Sequence, residues 1–561
     1  MNNESYFSLN PTRLDLSRSI FDRPYNHKTT FDSGKLVPLY VDEVLPGDSV
    51  SMPIDFVLRS LTPVNPVMDV AYFDINAYFI PNRLVYEHWE ELNGQNDTTA
   101  WTQTTEYQVP QCEIGYLKKS DLGAYILGLP TSNDDDTQGS YSPVSAFEHK
   151  TVSALYRRAY WKVVNDWWRD ENIEAPHLFS VGDDASSETY AEDLFNVNKF
   201  HDYFTSCLPG PQKGPDVSLT VLDPDTVIPV YPRKELADYT PGSDADVLGF
   251  KVYNNMYREP TSTNWTDMRN LMVSTLGTLH ASTDIPSGSY NNGITSPYPN
   301  NLGVGGSDFK AISVNDLRLA FQVQKLYERD ARGGTRYISV LKSHFGVVSP
   351  DARLQRSEWL GGKRIPINMD TVLDTSSAGL GDTGAFSNTV DSSHLFTKSF
   401  VEHGILLIVG CVRTNQTYSQ GLNRIFTRKD RLDFYWPVLA NIGEQPVMKS
   451  ELVLGAYSDV DTGVFGYQEA WAEYRYKPNS MSGYLNPASR DSLKTWSYGQ
   501  EFPFDESPVL NKDFLQQDES SVGQTLIVGE MAHQFFGDFQ FSGKWSRVMP
   551  VYSVPGLIDH H

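Results

Sequence analysis

Between residues 35 and 80 short runs of Val, Ile, Tyr and Phe are set among polar positions. The alternation is clearest where Ala71, Phe73, Ile75, Ala77 and Phe79 interleave with Val70, Tyr72, Asp74, Asn76 and Tyr78. A period of two puts the first set on one, apolar face of a strand and the second on a mixed face. Pro46-Gly47-Asp48 and the Thr62-Pro63 to Asn65-Pro66 stretch interrupt these runs with turn chemistry. Strands so spaced predict an antiparallel β sandwich or jelly roll. Residues 404–412 (GILLIVGCV) are continuously apolar, which predicts a buried strand and is far too short for a bilayer. Further strands are predicted over 337–341, 400–412, 432–436 and 451–457.

Other stretches carry a helical period. A short helix is predicted over 83–93, stopped by Gly94. The longest pattern covers 144–172, where Leu155, Ala159, Val163 and Trp167 run beside Val152, Tyr156, Tyr160, Val164 and Trp168. Arg157, Lys162 and Arg169 fall outside this apolar face, and Pro176 marks the stop. A third helix is punctuated at both ends, by Ser313 with Asp316 and by Gly333-Gly334. Its apolar positions are Leu317, Phe321, Val323, Leu326 and Tyr327, whose contacts are expected to hold it to the scaffold. Arg329 and Arg332 fall in its last turn, where cations suit the helix dipole.

The text between 215 and 309 has a different character, with nine prolines and eleven acidic against five basic residues. Apart from a possible helix around 266–276, it predicts an insertion of loops and short strands. The expected organisation is an extended arm over 1–34, a first part of the β scaffold with helical excursions over 35–214, an insertion bounded by Pro215 and Phe309, and the rest of the scaffold over 310–561. Arg13, Arg18, Arg23 and Lys28 in the arm are balanced by Glu4, Asp15, Asp22 and Asp32.

Charge sharpens this picture. The 561-residue chain has a formal net charge of −24, yet 313–364 holds ten Lys/Arg against five Asp/Glu. An acidic balance argues against nucleic acid as the main partner, but net charge averages over surfaces that face different surroundings. Arg329, Arg332, Arg336, Lys342, Arg353 and Arg356 are therefore candidates either for nucleic-acid phosphate or for acids of a neighbouring subunit. The three cysteines are far apart and odd in number, which argues for a reducing compartment without a disulfide framework. The first twenty residues lack a basic start followed by an apolar run, so synthesis without export is expected.

Catalytic signals are weak. Residues 379–384 fit G-x-G-x-x-G, but polar Asp, Thr and Ser on both sides replace the strand and helix a dinucleotide site needs. No P-loop, H-E-x-x-H or G-x-S-x-G pattern occurs. Glu402-His403 at a strand end reads as structural, acid pairs such as Asp170-Glu171 or Asp459 with Asp461 are expected by chance, and Asp134-Asp135-Asp136 reads as a solvated loop. No enzyme activity and no cofactor are expected. Eleven tryptophans and many aspartates leave a carbohydrate-binding or carbohydrate-active β-sandwich protein as the alternative to a structural role.

Several blocks carry a resemblance: RPYNHKTTF at 23–31, VDEVLPGD at 41–48, NDWWRDEN at 165–172, CLPGPQKG at 207–214, SVNDLRLAFQVQKLYERDARGGTRY at 313–337 and GYQEAWAEYR at 466–475. Together they resemble the major capsid proteins of gokushovirus-type microviruses. The resemblance implies a mainly β, eight-stranded antiparallel jelly roll with large loop insertions and a few helices. It also implies assembly in the host bacterial cytoplasm into a T=1 icosahedral virion around circular single-stranded DNA. Implied partners are an internal scaffolding protein, a small basic DNA-binding protein, a pilot protein and a host surface receptor. The 215–309 insertion would form a surface protrusion at the threefold axes.

Overall fold

Strands from the two ends of the chain pair into two four-stranded antiparallel sheets. They are β1 (Ser19–Phe31), β2 (Val37–Val44), β3 (Ser49–Ser60), β4 (Ala71–Pro81), β5 (Glu358–Pro366), β6 (Thr389–Ser399), β7 (Gly404–Thr414) and β8 (Phe535–Arg547). One sheet has the order β1-β8-β3-β6 and the other β5-β4-β7-β2, with every neighbouring pair antiparallel. This interleaving of first and last strands is the jelly-roll topology. The computed structural model describes residues 18–94, 107–131, 147–214, 230–232, 250–253, 265–268, 270–273, 279–282, 298–299, 302–304, 314–333, 343–345, 355–373, 383–454, 463–503, 507–527 and 533–552.

The pattern of 70–79 explains how the sheets face each other. Phe73, Ile75, Ala77 and Phe79 of β4 are buried in the main core. Phe73 meets Phe31, Phe56 and Phe539 of the opposite sheet at ring separations of 6.3, 5.3 and 5.7 Å. Such aromatic pairs contribute roughly 0.5–1.5 kcal/mol each beyond their area. Within the expected arm, Ser19–Phe31 is a sheet-edge strand paired with β8 from Ser19 opposite Arg547 to Phe31 opposite Phe535. Gly34, in the turn to β2, has φ +80°, and a Cβ there would lie 2.6 Å from the Gln517 carbonyl oxygen.

The apolar run 404–412 is β7, an inner strand buried almost throughout. Helix α1 (Leu155–Val163) is shorter than the pattern over 144–172. Thr151–Ser153 instead pairs as a strand with Gln111–Glu113, and Val164–Trp168 widens into a π turn before extended Arg169. The turn is pinned from outside: Asp166 Oδ2 accepts from the Ser357 backbone N–H at 2.7 Å, and Trp167 Nε1 donates to the Ser357 carbonyl at 3.0 Å. Arg157, expected outside the apolar face, is buried with Arg158 against Glu188. The missing signal was a partner loop bringing carboxylates to that side.

Three other expectations are corrected. Residues 83–93 form a 3₁₀ turn, Asn82–Leu84, and a single helical turn, Trp89–Leu92. Buried Tyr86 lies between them, its hydroxyl donating to the Gln108 carbonyl at 3.0 Å and to Asp183 at 2.6 Å. In place of a strand over 432–436 there is a 3₁₀ turn, Arg431–Asp433, because Asp433 Oδ2 accepts from the Lys429 and Asp430 N–H groups at 2.7 and 2.9 Å. Lys449–Glu451 is likewise a 3₁₀ turn, and 455–457 lie outside the described residues. So do 337–341, 134–136, Asp459 and Asp461, and of 379–384 only Thr383 and Gly384 are described, opening the strand Thr383–Ser387.

The chain divides into two compact units, Met1–Lys213 with Arg329–His561, and Gly214–Glu328. The first contains the jelly roll. Within the second, Phe250–Tyr253 lies between Tyr298–Pro299 and Trp265–Met268, Val230–Pro232 pairs with Leu302–Val304, and Asn270–Val273 pairs with Leu279–Ser282. The possible helix around 266–276 is thus strand where it is described, as Trp and β-branched Thr and Val favour. The predicted third helix is α2 (Val314–Gly333). Leu317, Phe321 and Leu326, expected to pack against the scaffold, are exposed, Phe321 to 61%.

Candidate functional site

The mixed face of β4 floors an open cleft of about 990 Å³. Tyr72, Asp74, Asn76 and Tyr78 come from β4, Gly362, Lys363 and Arg364 from β5, and Arg413 from β7. Trp167, Trp168 and Arg169 follow α1, and Asn198, Lys199, Phe200 and His201 close one wall. The lining holds the cations of Arg169, Lys199, Lys363, Arg364 and Arg413 against the carboxylates of Asp74, Asp170 and Glu171, so positive charge prevails.

Strand register fixes its centre. Arg364 is directly opposite Asp74 on one side of β4, and Arg413 is opposite Tyr72 on the other. Asp74, 3% exposed, accepts from Arg364 Nε at 2.7 Å and Nη2 at 3.2 Å, and from Arg413 Nε at 3.1 Å and Nη2. One buried carboxylate therefore orients two guanidiniums, leaving a net cation. The hydrogen bonds to Asp74 raise the pKa of Arg364. Arg364 and Arg413 place their Cζ atoms 4.1 and 4.3 Å from the centroid of the Phe200 ring. Arg413 also lies 5.5 Å from the Trp168 ring, and Tyr72 meets Phe200 edge-on at 5.8 Å. Such cation–π contacts contribute about 0.5–2 kcal/mol each, more where water is excluded.

Other charges in the lining are engaged. Lys363 pairs with Asp391 at 2.7 Å, and Lys199 is buried, donating to Gln500 Oε1 at 2.8 Å and the Phe514 carbonyl at 2.7 Å. Burial pushes the Lys199 ammonium down to about 8. Arg364, with a side chain 51% exposed, is the more accessible guanidinium; that of Arg413 is 14% exposed. The arrangement can present a fixed positive charge beside aromatic faces to a planar anionic ligand.

The basic residues singled out from sequence are dispersed. Arg329 is exposed on α2. Arg332 is tied to Glu444 at 2.6 Å and lies 3.7 Å from Glu469. Arg356 does not line the cleft but packs against a residue that does, its guanidinium 4.4 Å from the Trp167 ring. Arg336, Lys342, Arg353, Pro215 and Phe309 lie outside the described residues. Arg364 and Arg413 were missed as site residues, though each had a signal. Arg364 ends the basic stretch, and Arg413 is a charge closing an otherwise apolar strand.

Residues weighed for catalysis have structural partners. Glu402 accepts from Arg83 Nε at 2.8 Å, and His403 meets Trp89 edge-on at 5.7 Å. Asp170 Oδ1 accepts from the Asn172 and Ile173 N–H groups at 2.8 and 3.2 Å. Among the described residues no group of three or more His, Cys, Asp or Glu is arranged to hold a metal, and no helix is long and apolar enough to cross a membrane.

The two four-stranded antiparallel sheets define a jelly-roll β protein. The chain belongs to the capsid protein (F protein) family, whose model matches residues 12–557. It is 34% identical to capsid protein VP1 of Chlamydia phage 1, over 98% of this chain and 97% of that protein. The VP1 capsid proteins of Bdellovibrio phage phiMH2K and Spiroplasma virus 4 are 33% and 32% identical, over 99% and 97% of this chain and 98% and 96% of theirs. These are gokushovirus-type microviruses. As a microvirus capsid protein the chain is part of the virion and not an enzyme, so the carbohydrate-active alternative falls away.

Proposed function

We propose that copies of this chain form a T=1 icosahedral shell around a circular single-stranded DNA genome, with the β4 cleft meeting the packaged strand. The observation that carries the DNA reading is the Phe200 ring flanked by Arg364 and Arg413 at 4.1 and 4.3 Å. Single-stranded nucleic acid offers both phosphate charge and unstacked bases, and a groove combining cations with rings suits both without reading sequence. Family membership supports shell formation, and the prevailing positive charge of the cleft within a −24 chain supports an inward role. Arg364 offers the reachable charge, stacked beside the Phe200 ring, and Asp74 the anchor that keeps both guanidiniums in place.

The loop-rich insertion 215–309 carries host attachment in this scheme, since loops vary without disturbing a scaffold. An internal scaffolding protein, a small basic DNA-binding protein and a pilot protein complete the assembly pathway. Arg364→Ala is the direct test, because Asp74 retains Arg413 and the fold should persist. Wild-type particles should show a closed-shell mass by light scattering, while the variant packages less DNA. Its log–log salt slope for single-stranded DNA should fall by about 0.7. Monomeric wild-type protein in the presence of scaffold overturns the shell; unchanged packaging and salt slope in the variant overturn the DNA role of the cleft. Particles with 215–309 replaced by a short linker should form but fail to adsorb to host cells, whereas failed assembly would make the segment architectural.

A further inference from the structure

Most rings of the β4 cleft are already engaged within the chain. Phe200 lies between Arg364 and Arg413, Trp168 faces Arg413 at 5.5 Å, and Trp167 has the Arg356 guanidinium at 4.4 Å and the Tyr78 ring at 5.9 Å. Trp359 differs from all of these. It lines the same cleft, is 48% exposed, and among the described residues no ring or guanidinium stacks on it.

Three local features aim that ring. The register of β5 on β4 shifts between Trp359 and Gly361, so Leu360 is the extra residue of a bulge. Leu360 packs against the core, and Trp359, opposite Tyr78, takes the cleft face in its place. Trp359 Nε1 donates to Asn76 Oδ1 at 3.0 Å, which holds the indole by its edge and not by a face. Asn76 reaches it across Gly362, the residue opposite it in register; a Cβ at 362 would collide with Asn76 Oδ1 and lie 2.7 Å from the Ile75 carbonyl oxygen. A ring fixed in advance loses less entropy when a ligand stacks on it.

The same face of β5 carries Arg364. Trp359 and Arg364 stand opposite Tyr78 and Asp74, four residues apart on β4, so ring and charge are separated by about 13 Å along the groove. That span suits successive nucleotides of a strand rather than one small anion. An apolar protein surface covering Trp359 would border the Arg364 charge, whose carboxylate Asp74 is already shared with Arg413, and burying that charge is costly. A single strand of DNA satisfies both groups, with a base on the exposed indole and a phosphate on the guanidinium. We infer that Trp359 is the platform on which an unpaired base of the packaged strand stacks, so that the cleft holds bases as well as phosphates. The inference rests on the DNA reading proposed above and names the part of the nucleotide that this residue takes.

Oligothymidylate and an abasic strand of the same length separate base from backbone. Wild-type subunits should bind the first more tightly, and equal affinity for the two overturns the inference. Trp359→Ala should weaken oligothymidylate binding by about 5- to 150-fold, the loss for one stacked base, while the abasic strand and the salt slope stay as in wild type. Trp359→Phe should restore most of that loss. Unchanged oligothymidylate binding in Trp359→Ala overturns the inference, as does an equal loss on both strands. So does a Trp359→Ala protein that binds DNA normally but forms no particles, which gives the ring to a neighbouring subunit. One measurement needs no variant: ultraviolet irradiation of wild-type protein with a bromodeoxyuridine-substituted strand should place an adduct at Trp359, and adducts confined to other residues overturn the inference. Wild-type protein that binds neither strand, or a salt slope indifferent to Arg364, fails the DNA role of the cleft itself. A slope that depends on Arg364 with binding indifferent to Trp359 fails this inference alone.

Discussion

Arg332 Nη2 lies 2.6 Å from Glu444 Oε1, and the Glu444 side chain is almost completely buried. The last turn of α2 is thereby tied to the strand pair formed by Glu444–Met448 and Val464–Glu469, where Glu469 also lies 3.7 Å from Arg332. At this arginine, a candidate for DNA or for a neighbouring subunit by sequence, the structure shows an ion pair within the subunit.

Removing the Arg332 guanidinium leaves a buried carboxylate without its cation. Arg332→Ala should therefore lower subunit stability by about 1–3 kcal/mol, the range for hydrogen bonds to charged groups. Urea denaturation of unassembled subunits checks this. The salt dependence of DNA binding should stay as in wild type, and an unchanged urea midpoint with weakened DNA binding would contradict the assignment.

Arg158 presents a deeper case. It is fully buried, with Nε 3.1 Å from Glu188 Oε1 and Nη1 donating to the Val85 and Gly182 carbonyls at 3.2 and 3.0 Å. Arg158→Ala should cost about 1–3 kcal/mol by leaving the Val85 and Gly182 carbonyls at this buried site without their donor, while Arg157 stays paired with Glu188 at 3.1 Å. Arg158→Lys should recover only part of it, since one ammonium cannot reach carboxylate and both carbonyls in the guanidinium geometry. Thermal and urea unfolding of the two variants, compared with wild type, measure the difference.

What the sequence made legible was local. Alternation over 70–79 separated the core face of β4 from the face that floors the cleft, because side-chain direction depends only on strand period. The partners on that face were invisible: Arg364 and Arg413 reach Asp74 from 290 and 339 residues away, so only folding brings them together. The pattern over 144–172 overran because a π turn keeps apolar side chains near helical spacing while Asp166 and Trp167 bond to Ser357. At 432–436 the aromatic run indicated β structure, yet capping by Asp433 closed a turn and left its rings in solvent. Periodicity says which residues are apolar, not whether the surface that covers them lies in the same chain.

Lys199 supplies a pH test. Its ammonium is buried, and burial pushes its pKa down to about 8, against the opposing pull of Asp202 and Asp518. In the unfolded chain a lysine titrates near about 10.4. Below about pH 8 both states hold the proton, and the cost of burying the charge is fully present. Between the two values the folded state has released its proton while the unfolded state retains it, so stability rises with pH across that window. Lys199→Gln removes the titration but keeps a donor toward the Phe514 carbonyl. The stability of wild-type subunits relative to Lys199→Gln should therefore be constant from about pH 6 to about pH 7.5 and then increase toward about pH 10. Urea midpoints of both proteins across this range provide the measurement. A difference that stays flat, or falls, would mean that Lys199 keeps its proton in the folded state and that its two acceptors, with Asp202 and Asp518, fully offset its burial.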